Sequence, residues 1–220
     1  MDQALYEELL ATWQPQKNLP AQIGEFVLRE PTAEEKQDFV FFVYTHPEKN
    51  WHFRCLHSVE TYDYMIKYDI GLMVITDIRF IRSDAAEFWE MVRNEWPAAI
   101  TKRWLQGAET CSGIVRNTGI IHADFSAVFP EKVGPFTRKI DPLMPVEGLN
   151  GSYIIAAYAD AENDRGILFF YNTFRADYFA ETRLHKVPGM IHDFDAKSPQ
   201  ALQEKVTNRL ADILQELAEA

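Results

Sequence analysis

Three of the six histidines and one of the two cysteines fall within thirteen positions, THPEKNWHFRCLH at 45 to 57. Imidazoles and thiolates are the donors that zinc takes, provided that they converge to about 2 Å from one point. The segment has to be placed before it can be judged. Residues 46 to 50 carry turn residues, after which Trp51, Phe53, Cys55 and His57 alternate with His52, Arg54 and Leu56, the pattern of a strand returning from a hairpin. A strand rises about 3.3 Å per residue, so His52 and His57 are expected roughly 16 Å apart on opposite faces, with His46 farther off at an exposed turn tip. The cluster is dense in sequence and is expected to be dispersed in space.

A second set is His122 and Asp124, two residues apart, with His185 or His192 as a distal third ligand. Two imidazoles and one carboxylate leave coordination positions open for oxygen and substrate, which is the donor set of non-haem iron, and zinc takes the same groups. Short pairs of this kind recur by chance. An oxygenase barrel would also place strands after the distal ligand, and this chain ends in a helical pattern. Cys111 and His122 offer a thiolate pair, yet a hairpin turning at 117 to 119 sets Ile114 opposite His122 and leaves Cys111 roughly 10 Å away. No Gly-x-Ser-x-Gly elbow and no glycine-rich phosphate loop occurs, so the serine-hydrolase and P-loop readings lack their parts. The aromatic run FFYNTFRADYF at 169 to 179, with Arg175 and Arg183, could line an apolar pocket for an anionic head group; core packing is the expected use of such residues.

Composition narrows the classes. Thirty-three acidic against 22 basic residues give a net charge of −11, which repels polyphosphate and argues against nucleic-acid binding, while an acidic surface suits a basic protein partner. Two cysteines are too few for a disulfide scaffold, so both are expected as reduced thiols in a cytoplasmic protein. MDQALYEELLATWQ has no cationic start to an apolar run, and no stretch approaches eighteen apolar residues, so neither a signal peptide nor a membrane association is expected.

The elements that would position these groups follow from periodicity. Asp2 caps a helix over 3 to 13 with Leu5, Leu9 and Trp13 on one face. Residues 24 to 30 read as a short strand, Thr32 to Glu35 as a capping box, and 38 to 45 as a strand pairing Thr45 with Trp51 and Val43 with Phe53 across a five-residue loop. Residues 61 to 70 suit strand and helix alike, with the lean to helix. A central strand buried on both faces is expected from Gly71 to Ile81, then a helix opened by Asp84 with Phe88, Met91, Val92 and Trp96 inward, and a second helix restarting at Pro97. Gly113 to Phe125 reads as a short hairpin. Residues 130 to 151 hold four prolines and three glycines and are expected to be irregular. SYIIAAYAD at 152 to 160 and RGILFFYNTF at 165 to 174 form the best hairpin, and Ser198 with Pro199 opens a long amphipathic C-terminal helix. No internal repeat is legible.

The expected architecture is a single α+β domain over 1–220, a mainly antiparallel sheet of about six to seven strands packed by helices. The expected function is a non-enzymatic cytoplasmic module, immunity- or regulator-like, that binds another protein through an acidic surface and needs no cofactor. The alternatives are a metal-dependent enzyme using iron or zinc at His122, Asp124 and His185 or His192, and a carrier of an apolar small molecule.

Overall fold

A computed structural model describes residues 1–123, 125, 128–148 and 151–219. The fold is α+β with two antiparallel sheets, and the chain divides into two compact units, Met1–Lys102 and Arg103–Ala220.

In the first unit α1 (Gln3–Trp13) starts where expected, its first turn closed by the Asp2 carboxylate accepting from the Leu5 N–H at 2.9 Å. Four-residue α2 (Pro15–Asn18) follows. β1 (Gln22–Ile23) and β2 (Phe26–Arg29) turn about Gly24, whose φ of 56° favours glycine. α3 (Ala33–Gln37) has the expected capping box between Thr32 and Glu35. β3 (Val40–His46), β4 (Trp51–His57), β5 (Tyr64–Asp69) and β6 (Val74–Arg82) then form a meander, so the sheet runs β1-β2-β3-β4-β5-β6. α4 (Ala85–Ile100) is capped by Asp84 and lies against β5 and β6.

Both helices pack on the aromatic side of this sheet. Trp13 meets Phe41 at 4.3 Å between ring centroids, Phe88 stacks on Tyr64 at 5.6 Å, and Trp96 sits 5.4 Å from Tyr44. Phe88, Val92, Trp96 and Ile100 are each fully buried, at about 2 kcal/mol or more per side chain.

The second unit opens with short α5 (Gly107–Thr110) and α6 (Gly113–Asn117). β7 (Lys132–Val133) and β8 (Phe136–Ile140) turn about Gly134, and β9 (Val146–Glu147) pairs with β10. β10 (Ser152–Asp160), β11 (Arg165–Asn172), β12 (Asp177–Leu184) and β13 (Val187–Ala196) form the meander, ordered β13-β12-β11-β10-β8-β7. α7 (Pro199–Glu219) covers it with Leu202, Val206, Leu210 and Leu214, which join Tyr158, Phe169, Tyr178 and Phe194 in one core.

Several expectations are corrected. The first hairpin pairs His46 with Trp51 and Tyr44 with Phe53, one step from the expected register, because the loop has four residues, 47 to 50, and β3 bulges at Phe41. Pro47 has no N–H for the ladder and Asn50 accepts φ 55°, so the turn closes between them. Residues 64 to 69 are a strand: neighbours on both sides complete its ladder, which the period alone did not reveal. The run after Gly71 is an edge strand with Ile78 76% exposed rather than a buried centre. α4 runs through Pro97, since the inward stripe continues to Ile100, and then widens into one π-type turn at Thr101–Leu105. Asn117-Thr118-Gly119 ends a helix, with Gly119 at φ 78° past its C-terminus, instead of turning a hairpin. The proline-rich stretch contains β7, β8 and β9. Most unexpectedly, the two units repeat one order: helical segment, short hairpin about a glycine, four-stranded meander, covering helix.

Candidate interaction surface

The opening histidines are spread as the strand geometry required. β4 is extended over Trp51–His57, with His52 and His57 on opposite faces. His46 is corrected: it is 2% exposed, inside the sheet, with Nε2 3.0 Å from a Glu25 carboxylate oxygen and Phe26 edge-on at 5.2 Å. Burial holds its pKa below the ordinary value, helped by the Lys49 cation. His52 stands 3.1 Å from Asn50 Oδ1, and burial, then Arg54 and Arg29, lower its pKa. His57 is buried edge-on to Phe39 and Tyr64, and burial, then the terminal amino group, lower its pKa.

Of the second set, His122 lies in the exposed turn after α6, and Asp124 lies outside the described residues. His185 occupies the β12–β13 turn at φ 49°, and His192 on β13 has Nδ1 2.9 Å from an Asp195 carboxylate oxygen. Among the described residues no group of three His, Cys, Asp or Glu is arranged to hold a metal ion. Cys111 is buried with its sulfur 3.4 Å from the Ala108 carbonyl oxygen, Cys55 is wholly buried, and burial raises both thiol pKa values. The aromatic run divides: Phe169, Tyr171 and Tyr178 are core, whereas Phe174 is 82% exposed. A cavity of about 400 Å³ beside Arg175, Phe179, Met190 and His192 borders this run. Arg183 is buried and paired with Glu181 at 2.7 Å.

The face of β3–β5 that bears Arg54 carries a charge network. Arg29 binds both oxygens of Glu35, at 2.7 and 2.9 Å, and Arg54 reaches Glu35 at 3.5 Å and Asp69 at 3.2 Å. The Arg29 guanidinium holds the Glu35 carboxyl at about 2. Two anions meeting two cations leave this network locally balanced.

Balance fails on the solvent side of α1 and α4. Glu7, Glu8, Glu87, Glu90 and Glu95 on the helices are all exposed, as are the caps Asp2 and Asp84, against Arg93 within the helices and the Met1 amino group and Arg82 beside the caps. The helices are joined by Trp13 stacked on Trp89, 5.2 Å apart and nearly parallel at 4°. Trp89, one step off the inward stripe, is half-buried by this stack. Sequence periodicity placed each helix, but not their adjacency, so the summed charge was visible only as a chain total.

No family model, no curated protein and no solved structure matches the chain. No helix among the described residues is long and apolar enough to cross a membrane.

Proposed function

We propose that the chain is a non-enzymatic cytoplasmic module, immunity- or regulator-like in kind, that binds a partner protein by receiving a basic segment on the α1–α4 face. The observation that carries this reading is the ratio of five exposed carboxylates to one cation within two helices held side by side by the Trp13–Trp89 stack. A surface of one sign raises the encounter rate with an oppositely charged partner and turns away polyphosphates. The cytoplasmic assignment rests on the two buried free thiols, Cys55 and Cys111.

The test is affinity capture from the source cells, comparing the natural chain with Glu87→Lys/Glu90→Lys/Glu95→Lys and with a control of equal charge change, Glu204→Lys/Asp212→Lys/Glu216→Lys. One partner retained in stoichiometric amount by the natural chain and the control, and lost from the first variant, is expected. Equal retention by both variants, or no stoichiometric partner, sinks the reading. Metal analysis of the same preparations tests the alternative: stoichiometric iron or zinc, lost on His122→Ala, would replace the module with a metal-dependent enzyme. A bound mass of lipid size in native mass spectrometry would favour the apolar carrier.

A further inference from the structure

Each unit ties down its proline turn with a phenol. Tyr44 on β3 donates to the Pro20 carbonyl at 2.6 Å, and Tyr158 on β10 donates to the Pro130 carbonyl at 2.6 Å. Beside each latch the same backbone bond closes the hairpin, Leu28 N–H to the Ala21 carbonyl at 2.9 Å and Arg138 N–H to the Glu131 carbonyl at 2.8 Å. Gly24 and Gly134 both have φ 56°, and Phe26 and Phe136 are both fully buried. The tyrosines are 114 positions apart, and all the other pairs are 110 apart, as Gly24 and Gly134 are. So are the capping residues Asp2 and Ser112, each accepting from the N–H three residues on.

From the meander onward the spacing becomes 114 and does not change again. The bulges fall at Phe41 and Ile155. The left-handed residues recur as Asn50 (55°) with Asp164 (47°) and Tyr62 (62°) with Ala176 (50°). Asp84 and Ser198 cap the covering helices through the N–H groups of Glu87 and Ala201. The fully or nearly fully buried stripe of α4, Phe88, Val92, Trp96 and Ile100, falls on Leu202, Val206, Leu210 and Leu214.

We infer that the chain is a tandem duplication of one module, with the caps Asp2 and Ser112 equivalent, 20–29 equivalent to 130–139 and 41–100 equivalent to 155–214. A left-handed non-glycine residue is found at only a few per cent of positions. Two unrelated sheets of like topology have no reason to share such residues, bulges, caps and loop lengths in one ungapped register over 60 positions. Only eight of those 60 pairs are identical, because each shared feature constrains burial, φ or a capping oxygen and not a residue type. The duplication also supplies a control for the proposed partner face, a step that rests on the protein-binding reading. Five of the seven carboxylate positions of the first copy, Asp2, Asp84, Glu87, Glu90 and Glu95, are equivalent to Ser112, Ser198, Ala201, Glu204 and Arg209. The module therefore folds without that acidity, which belongs to the first copy.

Matched substitutions in the full-length chain test the duplication. Tyr44→Phe and Tyr158→Phe are each expected to speed hydrogen exchange of the neighbouring hairpin amide, Leu28 or Arg138, by about five-fold. Gly24→Ala and Gly134→Ala are each expected to lower Tm by about 3 °C. Gly113→Ala, at a glycine without positive φ and with open space around it, is expected to lower it by nothing measurable. A latch or turn glycine that matters in one copy and is neutral in the other overturns the equivalence. None of these variants alters the α1–α4 face, so failure of partner capture leaves the duplication standing.

Discussion

The indole N–H of Trp96 donates to the hydroxyl of Tyr68 at 3.1 Å. The same hydroxyl donates to Asp77 at 3.0 Å, and Arg79 clamps both carboxylate oxygens at 2.9 and 2.7 Å. Trp96, Tyr68 and Asp77 are buried, so a polar relay runs from the α4 core contact to the edge strand β6, where it secures the stretch in which β6 departs from its ladder with β5.

Tyr68→Phe keeps the ring and removes the hydroxyl, taking the Tyr68 bond from the buried indole N–H and from the carboxylate. A loss of about 1–3 kcal/mol is expected, read as a lowered urea midpoint. An unchanged midpoint would mean that the relay contributes nothing to folding.

The Arg29 bond holds the Glu35 carboxyl at about 2, below its ordinary 4.5. The unfolded chain therefore binds this proton more readily. The stability it contributes is complete above about pH 4.5 and is lost as pH falls towards 2, by about 1–2 kcal/mol once solvent screening at the half-exposed arginine is allowed for. Glu35→Gln should lower the urea midpoint at pH 7 and flatten its fall over that acid range; a parallel curve refutes the assignment.

His46, His52 and His57 all titrate below 6.5, with burial the largest cause in each. The unfolded chain takes up these protons first, so their contribution is intact above about pH 6.5 and is lost as pH falls below it. NMR titration of the imidazole C–H signals should place all three midpoints under 6.5, and Tm should fall between pH 7 and pH 5. A midpoint above 6.5 for His46 would show that its Glu25 partner outweighs burial.

Cys55 and Cys111 are buried, with thiol pKa values raised by burial. Neither is expected to react with a chromogenic disulfide reagent at pH 8 within minutes, and both should react at once in guanidinium. Rapid labelling of the folded chain would contradict their burial.

Local chemistry was legible from the residues. Asp2, Asp84 and Ser198 each opened a helix where a capping oxygen precedes an apolar stripe, and Thr32 opened the short turn marked by its capping box, because a cap acts within three residues of itself. The hairpin from Ser152 to Asn172 was equally plain, as its apolar run is broken by four turn residues. His46 was misplaced for the opposite reason: its burial depends on Glu25 and Phe26, brought beside it by the β2–β3 pairing, and nothing in HPEKN records that neighbour.

The amino-acid order by itself determined where α1, α3, α4 and α7 begin, six of the thirteen described strands, the antiparallel α+β class and the negative total charge, since each depends on spacing along the chain or on a simple count. Tertiary structure alone decided which strands became edges, where Asn50 and Phe41 set the register, and that α1 and α4 gather their carboxylates on one face. It alone exposed the repeated module, because Tyr44 and Tyr158 match through the proline carbonyls they bind, and partners distant in sequence leave no mark in the spacing of letters.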